Sequence, residues 1–243
     1  MSYPTNHLGH YAAISRNFYC LLAGILVLLA VGCGATAPTQ APTRLPATPT
    51  SLPTVLTGES KPSGIVKVEI QDETVARYLV REQLARLDFP NDAVGETSGV
   101  VGLIVFNSDG EINSDASKIT VDLRSLKSDK DRRDRFLRTR SLESDVFPTA
   151  EFVVKEVPGL EWPLPKEGEA SFQIVGDMTV HGFTRPITWE ATAQFSEDSF
   201  SGVAKTSFTF DDFDIDVPKV RIVLSVEETM RFELDFLASI TSE

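Results

Sequence analysis

From about Gly64 to Ile240, apolar and polar residues alternate with a period of two. Phe172, Ile174, Gly176, Met178 and Val180 interleave with Gln173, Val175, Asp177, Thr179 and His181. Ile187, Trp189, Ala191, Ala193 and Phe195 interleave with Thr188, Glu190, Thr192 and Gln194, and Met230, Phe232, Leu234 and Phe236 with Arg231, Glu233 and Asp235. Successive side chains of a strand point to opposite faces, so this pattern predicts half-buried antiparallel strands with one apolar face. Further strands are expected near Val66–Ile70, Val100–Phe106, Ile119–Leu123, Val153, Phe200–Phe210 and Ile222–Val226. Turn chemistry separates them: Asn107-Ser108-Asp109-Gly110, Gly182 to Pro186, and Ser196-Glu197-Asp198-Ser199.

Two segments are less clear. Thr74–Leu87 has good helix formers, but Tyr78, Val80 and Leu84 share one parity, so helix and strand both stay open. Ser128–Leu142 opens on Ser and Asp and carries helix-compatible charges, which predicts a short helix or ordered loop. With about eight strands at regular spacing, the chain reads as all-β, a sandwich or a closed barrel.

The N-terminal part reads differently. Phe18–Val31 is fourteen residues without a charge, preceded by Arg16, the length of a signal h-region and short for a membrane span. It runs into Ala30-Val31-Gly32-Cys33, which resembles the bacterial lipobox. That resemblance implies cleavage after residue 32 and lipid attachment at Cys33, anchoring the protein outside the cytoplasmic membrane. An uncleaved N-terminal anchor is the alternative. Gly34–Thr57 holds five Pro, seven Thr and four Ala with Arg44 its only charge, a composition that cannot form a core. It is expected to act as a spacer reaching up to roughly 70 Å at about 3.1 Å per residue. The expected organisation is thus signal peptide 1–32, linker 33–63 and an all-β domain 64–241.

Composition narrows the chemistry. The net charge of −12 argues against nucleic-acid binding. From Cys33 onward the chain holds one Cys and one His (His181), too few for a Cys/His zinc site or an internal disulfide. No G-x-S-x-G elbow or glycine-rich phosphate loop occurs. Asp211, Asp212, Asp214 and Asp216 are dense enough to suggest calcium, but Val217 and Val223 stand where an EF-hand loop needs Gly and Glu. No enzyme, cofactor or metal is therefore expected. One window departs from the acidic average: Arg124–Arg140 has eight basic and three acidic residues, a net of +5. An arginine fork suits an anionic head group, whereas a solvated basic loop is the plainer reading.

Motifs then identify a resemblance. Thr120–Leu137 followed by Phe147-Pro148-Thr149-Ala150-Glu151-Phe152, and Gly176-Asp-Met-Thr-Val-His-Gly-Phe-Thr-Arg-Pro-Ile187, resemble the YceI-like family in three motifs and in the same order. The resemblance implies an antiparallel, lipocalin-like β-barrel of about eight strands with an elongated apolar interior that holds a polyisoprenoid or similar long-chain lipid. Arg132, Arg133, Phe136 and Leu137 would lie at the mouth, and Phe152, Phe172, Ile174, Trp189, Phe208 and Phe232 would line the interior. Asp134, Asp177, His181, Gly182 and Pro186 fall on motif positions expected to be structural. Phe136 stands where the family often has His, and Asp214 where it usually has Gly. The implied partners are a lipid ligand, the membrane through the N-terminal anchor, and in some cases a second copy as a homodimer. The alternative function is a surface interaction protein, with the barrel as scaffold and residues 124–140 holding an anionic partner.

Overall fold

The computed structural model describes residues 64–243. The segments expected to be a signal peptide and a linker, with Cys33, lie outside the described residues. The strands are β1 (Val66–Ile70), β2 (Val75–Leu84), β3 (Asn91–Thr97), β4 (Val100–Phe106), β5 (Lys118–Asp122) and β6 (Lys127–Ser128), followed by β7 (Thr149–Glu156), β8 (Gly168–Val180), β9 (Phe183–Ser196), β10 (Ser199–Thr209) and β11 (Val223–Ser242). These eleven strands build eight staves. β11 pairs along one side with β1 near its end and β2 near its start, so β1 and β2 form one interrupted stave. β3 and β4 form the next, pairing with β2 and β1, and β5 and β6 the third, pairing with β4 and β3. β7 to β11 complete the ring, and every pairing is antiparallel. The protein is therefore a closed eight-strand antiparallel barrel, with β6 paired on β3 alone and β9 without a β10 partner before Glu190.

Thr74–Leu87 resolves in favour of the strand. Tyr78 and Val80 face inward and are buried, and the ladder to β3 and β11 outweighs helix propensity. Ser128–Leu142 becomes a short helix α1 (Asp131–Phe136) running into a π-helical turn at Leu137–Ser141. The strands expected at 222–226 and 230–237 are one strand, β11, with a bulge between Val226 and Met230. The break expected across Gly182–Pro186 is only two residues long. His181 and Gly182, at φ 51° and 80°, form the turn, and Phe183 already begins β9. Two central residues with positive φ make a type I′ hairpin, whose twist matches the flanking strands. Pro186 sits inside β9 opposite Asp177, beyond Glu190 where pairing with β10 stops. Its missing N–H therefore costs no ladder bond on that side.

The interior divides along the barrel axis. At the end where β1 begins and β11 finishes, Phe195 stacks on Phe200 at 5 Å-scale separation (4.7 Å between centroids), and Phe200 meets Phe236 edge-on at 5.8 Å. Phe106 stacks on Trp162 at 5.4 Å, and Val68, Val154 and Ala238 are sealed from solvent. This end is solid. The opposite end carries the β8–β9 turn, the β2–β3 hairpin, α1, and the loop from Phe210 to Ile222, and it is hollow.

Candidate functional site: the apolar cavity and its mouth

The hollow half encloses a cavity of about 990 Å³. Four of its inward positions are alanines (Ala76, Ala93, Ala150 and Ala204), each a place where a strand points a side chain too small to meet the opposite wall. Aromatic and aliphatic groups line the rest. Phe208 stacks on Phe232 at 4.1 Å, and Phe152 meets Trp189 edge-on at 6.3 Å. Phe136, Leu137 and Ile174 also face the cavity. Of the ten residues that the sequence placed at the ligand, Phe172 alone is absent from the lining; it packs at the solid end, opposite Ala191 and beside Gly159. Parity identified its inward side but not its position along the axis.

Few polar groups reach this space. Tyr78 Oη and Trp189 Nε1 are buried and make no hydrogen bond within the protein. Burial pushes the Tyr78 hydroxyl up to about 12, although the Arg133 charge works the other way. The ring of Tyr78 lies against the backbone of β3, which is why residue 95 is glycine. A Cβ there would stand 2.3 Å from the Tyr78 ring. Reasoning from sequence missed Tyr78 as a cavity group, though its inward parity was visible.

α1 and the turn after it cross the mouth and are fastened on both sides. On one side Arg133 donates to Glu82 of β2 at 2.7 Å and to Asp129. Burial opposes the Arg133 charge, yet the hydrogen bond to Asp129 and the fields of Glu82 and Tyr78 hold its pKa above the ordinary arginine value. The same bond to Arg133 pulls Asp129 below the usual carboxylate range. On the other side His181 Nε2 donates to Glu143 Oε2 at 3.2 Å, and Phe147 sits edge-on to the imidazole at 4.7 Å. Asp134 is buried and accepts from the Ser128 backbone at 2.9 Å and hydroxyl at 2.6 Å, which fixes the entry into α1. Asp177 pairs with Lys155 on the outer wall. Arg133 is thus committed to carboxylates, whereas Arg132 is exposed at the rim with no ion pair among the described residues.

In the acidic run, Asp212 accepts from the backbone and hydroxyl of Thr209, which holds its pKa down. Asp214 takes the left-handed conformation, φ 53°, at the close of that turn, the position where the family usually has Gly.

Residues 78–238 match the family model described as the YceI-like domain. The chain belongs to the YceI-like family. A UPF0312 protein of Pseudomonas putida (strain GB-1) is 34% identical over 113 residues, 43% of this chain and 55% of that protein. One from Shewanella denitrificans is 31% identical over 121 residues, 44% of this chain and 60% of its own. The chain spans a little over half the length of these curated relatives. Among solved structures, a polyisoprenoid binding domain from Saccharophagus degradans, implicated in plant cell wall breakdown, superposes with TM-score 0.53 at 11% identity. That match covers 72% of this chain and 98% of the domain. Burkholderia cenocepacia BcnA gives TM-score 0.50 at 12% identity, over 71% and 99%. At such identities the likeness is one of fold. This YceI-like chain shares the barrel with both.

Proposed function

We propose that this YceI-like barrel binds one long-chain amphiphile, a polyisoprenoid or similar lipid, and acts as a binding protein rather than an enzyme. The observation that carries the reading is the cavity, whose walls are apolar and whose size suits an extended chain. The cavity opens at its mouth, and its walls forgo dispersion contacts wherever no group meets them. Water needs two to four polar partners, which these walls scarcely offer. An alkyl or prenyl chain instead contributes about 0.8 kcal/mol for each methylene-sized group it buries. Tyr78 Oη and Trp189 Nε1 supply donors for a cargo carrying an oxygen acceptor. The polyisoprenoid-binding domain of Saccharophagus degradans supports the same class of cargo.

The experiment is lipid extraction and native mass spectrometry of full-length protein from a lipid-containing host, beside Ala93→Phe/Ala204→Phe, which plugs the cavity. The expected result is a stoichiometric long-chain lipid that the plugged variant lacks. Protein carrying no lipid and taking up no polyprenol from micelles would overturn the reading.

Cys33 is proposed as the lipid attachment point that keeps the barrel at the outer face of the cytoplasmic membrane, on the support of the Ala30–Cys33 run and the charge-free segment before it. Palmitate labelling that persists in Cys33→Ser would exclude it.

A further inference from the structure

Among the described residues nine large hydrophobic side chains are exposed, and seven of them surround the mouth. Leu87 and Phe89 occupy the tip of the β2–β3 hairpin, with Phe89 80% exposed. Val220 and Ile222 precede β11 and Leu224 is its second residue, the last two 57% and 67% exposed. These two groups are neighbours: Ala85 N donates to Ile222 O at 2.9 Å, and Leu84 pairs with Val223. Val146 and Phe183 continue the rim near the His181 turn. The other two are Ile65 at the solid end and Val101 on the outer face of β4.

Charged groups are threaded between these, one acid (Asp88, between Leu87 and Phe89) and several cations. Arg86 precedes Leu87, and Lys219 and Arg221 alternate with Val220 and Ile222; all three are exposed. Arg132, Arg135 and Arg140 are exposed on and just beyond α1. None of the six makes an ion pair among the described residues, although the protein as a whole is acidic and its other cations are largely engaged. The apolar tips are also continuous with the cavity, because Leu84, Val220, Ile222 and Val223 face it on their inner side.

We propose that this end of the barrel docks on a lipid bilayer containing anionic lipids, with Leu87, Phe89, Ile222 and Leu224 entering the interface. Apolar tips flanked by cations match a layered surface, in which anionic head groups overlie hydrocarbon. Two protruding loop tips of this kind suit a deformable interface better than the flat, paired surface of a protein partner. Docking would let an amphiphile pass between bilayer and cavity without crossing water. The surface itself binds whether or not the cavity holds cargo, so its test is independent of the lipid-binding reading.

The test uses the full-length chain with Cys20→Ser and Cys33→Ser, reconstituted in phosphatidylcholine vesicles with or without phosphatidylglycerol. A fluorophore is attached at Asp88→Cys beside the tip or at Ser108→Cys in the β4–β5 turn at the solid end. Quenching by spin-labelled lipid should be at least threefold stronger at position 88 than at 108, and only with phosphatidylglycerol present. Adding Phe89→Ser/Ile222→Ser should lower quenching at 88 to the level at 108, while circular dichroism confirms an unchanged fold. Equal quenching at the two positions would overturn the proposal, as would quenching that ignores phosphatidylglycerol or survives the double substitution.

Discussion

Arg133→Met tests whether the bar across the mouth is fastened as its contacts imply. Arg133 is the only guanidinium in contact with Glu82 among the described residues, and the two side chains are 18% and 9% exposed at a separation of 2.7 Å. Removing the arginine strands a carboxylate in a largely apolar cavity wall. Losing one partner of a buried pair typically costs about 3–5 kcal/mol. Partial exposure of the arginine brings the expectation down to roughly 2–3 kcal/mol. For a domain of this size each kcal/mol lowers the melting temperature by about 2–4 °C, so a fall near 8 °C is expected. Replacing both partners, Glu82→Leu/Arg133→Met, removes the unpaired charge and should recover most of that loss. The assay is thermal unfolding by circular dichroism on lipid-stripped protein, run as a double-mutant cycle with Glu82→Leu. A single variant melting within 2 °C of the parent would refute the reasoning. So would a double variant less stable than Arg133→Met.

Gly95→Ala should force Tyr78 off β3 and cost about 1–3 kcal/mol, and the smaller ring-free Gly95→Ala/Tyr78→Leu should regain part of it in the same melting assay. Tyr78→Phe removes a buried hydroxyl without a protein partner, so lipid-stripped protein should lose no stability; faster cargo release in native mass spectrometry would mark the hydroxyl as a ligand contact. Asp92, through its hydrogen bond to Arg231, has a depressed folded-state pKa, as does Asp129 through Arg133. Such groups stabilise the fold above the unfolded carboxylate value, about 3.9, and lose that contribution as pH falls through the lower folded values. Melting temperature should therefore drop below about pH 4, and Arg231→Gln should make that drop shallower. Gly182→Val places a β-branched residue at φ 80° against Phe147 and should destabilise the hairpin by about 1–3 kcal/mol, read from its denaturation midpoint.

The barrel was legible because its determinants are local. Period-two alternation specifies inward and outward faces wherever one side is buried, whereas the break expected across Gly182–Pro186 proves to be the shorter His181-Gly182 turn. β2 was ambiguous because Val75–Leu84 has helical propensity, and the deciding contribution, pairing with β3 and β11, comes from residues as distant as 235. The role of Arg133 was hidden for the same reason. Its motif position suggests a head-group donor, but Glu82 lies 51 residues earlier in the chain, and only closure of the barrel brings the two together. Phe172 failed as a lining residue because alternation fixes a face and not a depth.

Depth shows in how the inward groups pack. In the solid half Phe195, Phe200 and Phe236 pack on one another from neighbouring strands and Phe106 packs on Trp162, with Ala191, Ala193 and Ala238 buried beside them. In the hollow half the same strands and their neighbours turn inward Ala76, Ala93, Ala150 and Ala204, and Gly95 lets Tyr78 lie flat against the wall instead of spanning it. A well-packed core would place larger groups there, since unfilled space forfeits dispersion contacts. The chain thus gives up packing in one half of the barrel and keeps it in the other. The exposed hydrophobics follow the same division, gathering where the void opens. The proposed cargo in the hollow half and the proposed docking surface at its mouth account for both departures from ordinary packing together.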